Sequence, residues 1–304
     1  MAETGLRGTR RRFLRTVGAA AAGGLAGCVG GGGENGAESA ATGGSVSGTA
    51  RDGGASTEAT VAILSAGSLQ HALEHGLKPA VDVPVRIESH GSATVARMIA
   101  EGQRDPDVVT VADTALFDAP LSPPWHAVFA SNAVVIACNP DTEGGRRVAE
   151  AGSEGWYEPM LDGDVAIGRT DPDLDPLGYR TLFALELASR YYDGVSDLRE
   201  RLLRRDQIYP ETSLLSQFEA GALDVAFAYR NMAVERGYDY VELPAQLDLS
   251  DPAHVDEWYR TVSYTLRSGQ EVRGGLISYG STIRRMSDAA AAVFDVHTTG
   301  SYLA

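Results

Sequence analysis

From Thr60 onward the chain alternates short apolar runs with helical patterns, and the first two runs each end in a turn of small residues. Val61-Ala62-Ile63-Leu64 passes through Ser65-Ala66-Gly67-Ser68 into a helical pattern that lasts to Leu77. Val85-Arg86-Ile87 passes through Ser89-His90-Gly91, and Ser92 opens a helical stretch to Glu101. Val108-Val109-Thr110-Val111 is a third run. Apolar strands without polar alternation are buried on both faces, and strands separated by helices pair in parallel. The order predicts an α/β chain built on a parallel sheet.

The same register continues. Val128 to Ala137 reads as one long strand and Val165-Ala166-Ile167 as another. Helical patterns cover 179–191, 214–220 and 289–294, and Val225-Ala226-Phe227-Ala228, 262–266 and 277–283 read as strands. About 245 residues in this register suit two lobes better than one core. The chain is expected to leave the first sheet at 128–137 and return near 262–266. That places lobe 1 at 59–128 and 263–304, and lobe 2 at 129–262. With 43% hydrophobic residues the chain is not disordered throughout, and a net charge of −15 argues against a nucleic-acid partner. Of the 26 basic residues only Lys78 is a lysine. Acidic excess without lysine fits a very salty medium, where salt screens the repulsion, although GC-rich coding also favours arginine.

The N-terminus reads as an address. Arg10-Arg11-Arg12-Phe13-Leu14 precedes a small apolar stretch, Val17 to Ala26, about half the length of a membrane span. The paired arginines resemble a twin-arginine export signal. Leu25-Ala26-Gly27-Cys28 resembles a lipobox, whose cysteine becomes the lipidated first residue. Removing 1–27 takes away five arginines and one glutamate, so the charge falls from −15 to −19. Residues 28–58, rich in Gly, Ala, Ser and Thr, bury too little to fold and are expected to be a tether spanning roughly 30 Å. Cys138, at the end of an apolar run, is expected to be a small buried residue.

The chemistry is concentrated in a few turns. From residue 59 onward no Walker loop, G-x-G-x-x-G, H-E-x-x-H or G-x-S-x-G motif is present. His71 and His75 have metal-ligand spacing on a helix but no evident third ligand. Ser68 and Ser92 each follow a strand and a glycine and open a helix, where free N–H groups make an anion site; the alternative is that each is an ordinary N-cap. Asp171-Pro172-Asp173-Leu174-Asp175-Pro176-Leu177-Gly178-Tyr179-Arg180 makes a rigid loop before a helix, and alone Asp175 reads as a cap.

Taken together, Ser65-Ala66-Gly67-Ser68-Leu69, the double Asp-Pro loop with Gly178-Tyr179-Arg180, and Ala226-Phe227-Ala228-Tyr229-Arg230 resemble the archaeal tungstate/molybdate-binding proteins of ABC transporters. So do Val128–Ile136, Val241-Glu242-Leu243-Pro244 and Leu249-Ser250-Asp251-Pro252. The resemblance implies a type II periplasmic-binding fold, two α/β lobes closing on a tetrahedral oxyanion. It places the two hydroxyl donors at Ser68 and Ser92 and a tyrosine donor at Tyr229. It implies that Asp175 and Glu211, the latter in Pro210-Glu211-Thr212, bind the metal atom of the oxyanion and make it octahedral. Hard oxygen donors suit such a centre, and sulfate cannot expand its coordination that way, so the pair selects against it.

The expected function is that of a lipid-anchored, non-catalytic receptor on the outer face of the membrane. It would take no cofactor, bind tungstate or molybdate as a monomer, and deliver it to an ABC permease and its ATPase. The alternatives are the same fold holding sulfate or phosphate, and a secreted α/β enzyme, for which His90 lies near Ser92 in sequence.

Overall fold

The computed structural model describes residues 60–300. The proposed signal, Cys28 and the tether lie outside those residues. Two sheets organise the described part. The first has strand order β2-β1-β3-β11-β4, from Val85–His90 (β2), Val61–Ala66 (β1), Val108–Val111 (β3), Ser278–Ile283 (β11) and Ala127–Ser131 (β4). β1 pairs in parallel with both β2 and β3, Val61 opposite Val85 and Ile63 opposite Val108. β11 runs antiparallel to β3 and β4, so the sheet is mixed rather than wholly parallel. All six residues of β1 and all four of β3 are buried, as their largely apolar sequences predict.

The second sheet has order β6-β7-β5-β8, from Ile167–Gly168 (β6), Val225–Tyr229 (β7), Val134–Cys138 (β5) and Asp239–Glu242 (β8). Cys138 ends β5 and is 1% exposed, and burial pushes its thiol up to about 12. The helices include Ser92–Ala100 (α1), Glu143–Gly155 (α2), Pro176–Tyr191 (α3), Glu211–Glu219 (α4), Arg230–Arg236 (α5) and Asp288–Thr299 (α6), of which α1, α3, α4 and α5 border the site. α3 buries twelve of its residues, including Leu177, Tyr179, Leu182, Phe183, Leu185 and Leu187. It is buried along 176–188 with only Glu186 exposed.

The run 128–137 is two strands, not one. β4 lies in the first sheet and β5 in the second, with Asn132 and Ala133 between them. Burial marks the change: β4 is a half-exposed edge strand, and β5 is buried at all five positions. Phe129 to Ser131 therefore stand in the first sheet. The expected return strand at 262–266 is also different. Ser263–Thr265 (β9) pairs only with Glu271–Arg273 (β10) in a separate hairpin, and the chain rejoins the first sheet at β11. The two crossings run side by side: Asn132 N–H donates to Ile277 O at 3.2 Å, and Ile277 N–H to Leu249 O at 3.0 Å. Among the described residues no helix is long and apolar enough to cross a membrane.

Candidate functional site

The carboxyl ends of β1, β2 and β3 lie side by side, and the chain beyond each carries a polar group into the space between the lobes. Ser68 sits in the turn Gly67–Leu69 after β1 and is 2% exposed. Ser92 is the first residue of α1 and is fully buried. Neither is a capping serine; the flanking positions are Ala66 and Gly91, without side-chain caps. Ser92 Oγ instead accepts from Ala112 N–H at 2.9 Å, just past β3. Ser68 Oγ accepts from the Tyr279 hydroxyl at 3.0 Å.

The second lobe supplies the other three expected residues. Asp175 is the N-cap of α3, its Oδ1 accepting from Leu177 N–H at 3.2 Å, so the capping reading of the sequence is part of its role. Its Oδ2 is buried without a hydrogen-bond partner. Glu211 is the first residue of α4, 6% exposed, and both its oxygens are buried and unpartnered. Tyr229 ends β7, fully buried, and its hydroxyl accepts from Arg180 Nη1 at 2.7 Å. All five residues expected from the sequence are therefore brought to one region.

The two turns and the two carboxylates meet in pairs. A Cβ on Gly67 would lie 2.9 Å from Glu211 Cδ, and one on Gly91 would lie 2.5 Å from Leu174 O and 2.9 Å from Asp175 Cβ. The glycine before each serine is thus the seat of one carboxylate-bearing segment from the opposite lobe. Thr94 N–H closes the second seat on Leu174 O at 3.2 Å. Beside the pair opens a cavity of about 200 Å³ lined by His90, Gly91, Thr170, Asp175, Tyr209 and Glu211.

Burial is the dominant electrostatic fact. It pushes the Asp175 carboxyl up to about 6 against the pull of nearby Thr170, Leu177 N–H and Arg180. Burial, then the charge of Asp175, holds Glu211 well above the usual carboxylate range, although Gly67 and Ser68 donors stand close enough to offset part of it. Those donors make no hydrogen bond of good geometry to Glu211. Burial likewise keeps Tyr229 protonated.

Hydrogen-bond polarity then fixes what the hydroxyls can do. Tyr279 O–H, Ala112 N–H and the Arg180 guanidinium each donate to one of Ser68, Ser92 and Tyr229. With a protein donor on each oxygen, each O–H proton is left to donate to a ligand. Three donors therefore meet two carboxylates of which three oxygens, Asp175 Oδ2 and both of Glu211, lack donors. That arrangement suits an anion whose outer oxygens accept hydrogen bonds and whose centre, or own proton, engages a carboxylate.

The sequence reading missed the groups behind the hydroxyls. Tyr279 lies in a strand with no motif, and Asn132 Nδ2 donates to its hydroxyl at 3.0 Å and to Asn231 Oδ1 at 2.7 Å. Asn231 in turn donates to Ser68 O at 2.8 Å. Arg180 closes the double Asp-Pro motif and Asn132 falls within the Val128–Ile136 stretch, but neither was given a role from the sequence. His90 turns to Glu88 at 2.9 Å, away from a nucleophile–base arrangement with Ser92. The His71 and His75 rings lie 4.5 Å apart, tilted by 48°, and His71 Nδ1 lies 3.6 Å from Glu235. Among the described residues no cluster of three or more His, Cys, Asp or Glu side chains could hold a metal ion.

Residues 61–264 match the sequence profile of the bacterial extracellular solute-binding proteins. A relative from Haloferax volcanii, described as a putative ABC transporter molybdenum-binding protein, is 54% identical over 302 residues, 98% of this chain and 90% of the relative. The molybdate/tungstate-binding protein of Thermococcus kodakarensis is 30% identical over 223 residues, 64% of this chain and 62% of that protein. Among solved structures, the periplasmic molybdate-binding protein of Azotobacter vinelandii superposes with a TM-score of 0.54 at 15% identity, over 80% of this chain and 96% of that one. That last likeness concerns the fold alone.

Proposed function

Because this chain belongs to the bacterial extracellular solute-binding protein family, we propose that its two lobes close on tungstate or molybdate and deliver it to the permease and ATPase of an ABC importer. The observation that carries the choice of ligand is the meeting of three oriented hydroxyl donors with two buried carboxylates that leave three oxygens without donors. Ser68, Ser92 and Tyr229 donate to the oxyanion's outer oxygens. Asp175 and Glu211 bring oxygens to the metal atom, which as a hard centre accepts them and expands from four to six neighbours. The pairing removes the difficulty of a carboxylate facing a dianion, since the carboxylate meets the positive centre. The receptor takes no part in covalent chemistry, needs no cofactor and works as a monomer. Its Cys28 carries the lipid after twin-arginine export, and 28–58 tether the lobes to the outer face of the membrane.

A second reading rests on the same orphaned oxygens. Hydrogen phosphate carries a P–OH that could donate to Asp175 Oδ2 or Glu211, whereas sulfate has no such proton at neutral pH. Calorimetric titration separates the cases. Tungstate and molybdate are expected to bind far more tightly than sulfate or phosphate. Asp175→Ala and Glu211→Ala should lower the tungstate-to-sulfate affinity ratio. Ser68→Ala and Ser92→Ala should weaken every oxyanion by roughly 1.5–3 kcal/mol, leaving the ratio nearly unchanged. Phosphate binding more tightly than tungstate would favour the second reading and overturn the first.

A further inference from the structure

We propose that Arg180 is a positioning residue that clasps the two lobes together, joining Tyr229 in one lobe to the support of Ser92 in the other. The inference rests on the oxyanion reading above and adds a residue that does not itself touch the ligand.

The geometry is a fork spread across the gap. Arg180 rises from the second turn of α3, in the second lobe, and is 3% exposed. Its Nη1 donates to Tyr229 OH at 2.7 Å within that lobe and to Ala112 O at 2.8 Å in the first lobe. Its Nη2 lies 3.4 Å from Asp113 Oδ2, also in the first lobe. Tyr179, its neighbour on α3, donates its hydroxyl to the same Asp113 oxygen. Burial disfavours the guanidinium charge, but the phenol oxygen of Tyr229 and the Asp113 carboxylate outweigh that penalty. Ala112 is the residue whose N–H holds Ser92 Oγ. One guanidinium thus fixes a ligand hydroxyl in its own lobe and the segment that fixes a ligand hydroxyl in the other.

Three contacts cross between the lobes here: Arg180 to Ala112, Arg180 to Asp113 and Tyr179 to Asp113. Hinge opening separates them, so they stabilise only the closed arrangement. A planar fork with fixed donors suits this task, and a lysine ammonium cannot reproduce it. The clasp is indifferent to which anion is held. It should therefore slow the escape of every oxyanion alike, whereas Asp175 and Glu211 set the ratio between them.

The test uses the full chain with Asp113→Asn, Tyr179→Phe and Arg180→Lys. Asp113→Asn keeps an oxygen for its local bond from Ala115 N–H at 3.0 Å and removes the charge, so it serves even if Arg180→Lys fails to fold. Spin labels on Gln103→Cys and Glu150→Cys, exposed positions in opposite lobes, report opening without ligand. The clasp predicts a longer mean label distance in Asp113→Asn than in the parent. With sodium tungstate, it predicts a dissociation rate raised roughly tenfold, the scale of one charge-assisted hydrogen bond, with association within about twofold. The tungstate-to-sulfate ratio should not move. If the parent binds no tungstate, the ligand reading fails while the ligand-free label distance still decides the clasp. An unchanged label distance overturns the inference, as does an association rate that falls as far as dissociation rises.

Discussion

Asp175 Oδ2 and both Glu211 oxygens are buried acceptors without donors, and such groups cost a folded chain about 1–3 kcal/mol each when unpaired and more when charged. Asp175→Asn keeps the capping oxygen that serves Leu177 and removes the charge. It should raise the melting temperature of the ligand-free protein by a few degrees while abolishing the further rise caused by tungstate. The gain has a pH sign. The folded Asp175 pKa is raised to about 6, so the native carboxyl holds its proton from the ordinary range up to pH 6 and loses that relief above it. Melting curves should show a larger advantage for the asparagine variant at pH 7.5 than at pH 5; an advantage that shrinks with rising pH would contradict the burial account. Tyr279→Phe tests the other half of the site. It removes the donor to Ser68 Oγ, and tungstate and sulfate affinities should fall by a similar factor, measured by calorimetry. Ser68 and Ser92 were legible because each follows a strand and a glycine and opens a helix, whereas Asp175, Glu211 and Tyr229 were reached only through the family resemblance. Tyr279 and Asn132 were not legible, because hydrogen bonds between a strand and a crossing leave no local pattern.

At the scale of elements, the site depends on two strand-to-helix turns that can be approached closely. Gly67 and Gly91 are the positions where Glu211 and the Leu174–Asp175 segment press on the first lobe. Gly67→Ala and Gly91→Ala have no positive φ to lose and should fold, yet each Cβ would hold the lobes apart. Tungstate affinity is expected to fall at least tenfold, about 1.4 kcal/mol, with a melting temperature for the ligand-free protein close to the parent's. Unchanged affinity in both variants would mean that the seats are not used in the bound state. The strand-turn-helix units 61–77 and 85–101 could be read because apolar runs, glycines and helix starts agree with one another there. The crossing at Asn132–Ala133 could not be read that way. Apolar residues continue across it from 128 to 137, and only the partners of each half, β11 for β4 and β7 with β8 for β5, reveal a change of sheet. The hairpin of β9 and β10 misled for the same reason, since β propensity says nothing of which sheet a strand joins.

For the whole molecule, a formal charge of −15 on 304 residues predicts a protein that gains stability from salt. Its melting temperature should climb between 0.15 M and 2 M potassium chloride as carboxylate repulsion is screened; a flat or falling curve would leave only arginine-rich coding to explain the composition. Anchoring is tested separately, because Cys28→Ala should move the protein from the membrane fraction to the medium or leave it unprocessed. The two-lobe architecture was visible in the length and register of the sequence, whereas the closeness of Asp175 to Glu211 followed only from the family resemblance and from no local pattern. They lie in different segments and meet only because α3 and α4 begin at the same face of the second lobe. That meeting is the central claim: hydroxyls from both lobes grip the outer oxygens while two carboxylates reach the metal. X-ray absorption at the tungsten edge of the tungstate-loaded protein reads it directly. Six oxygen neighbours in the parent, falling to five in Asp175→Ala or Glu211→Ala, is the predicted result. Four equivalent short tungsten–oxygen distances, unchanged in both variants, would contradict it.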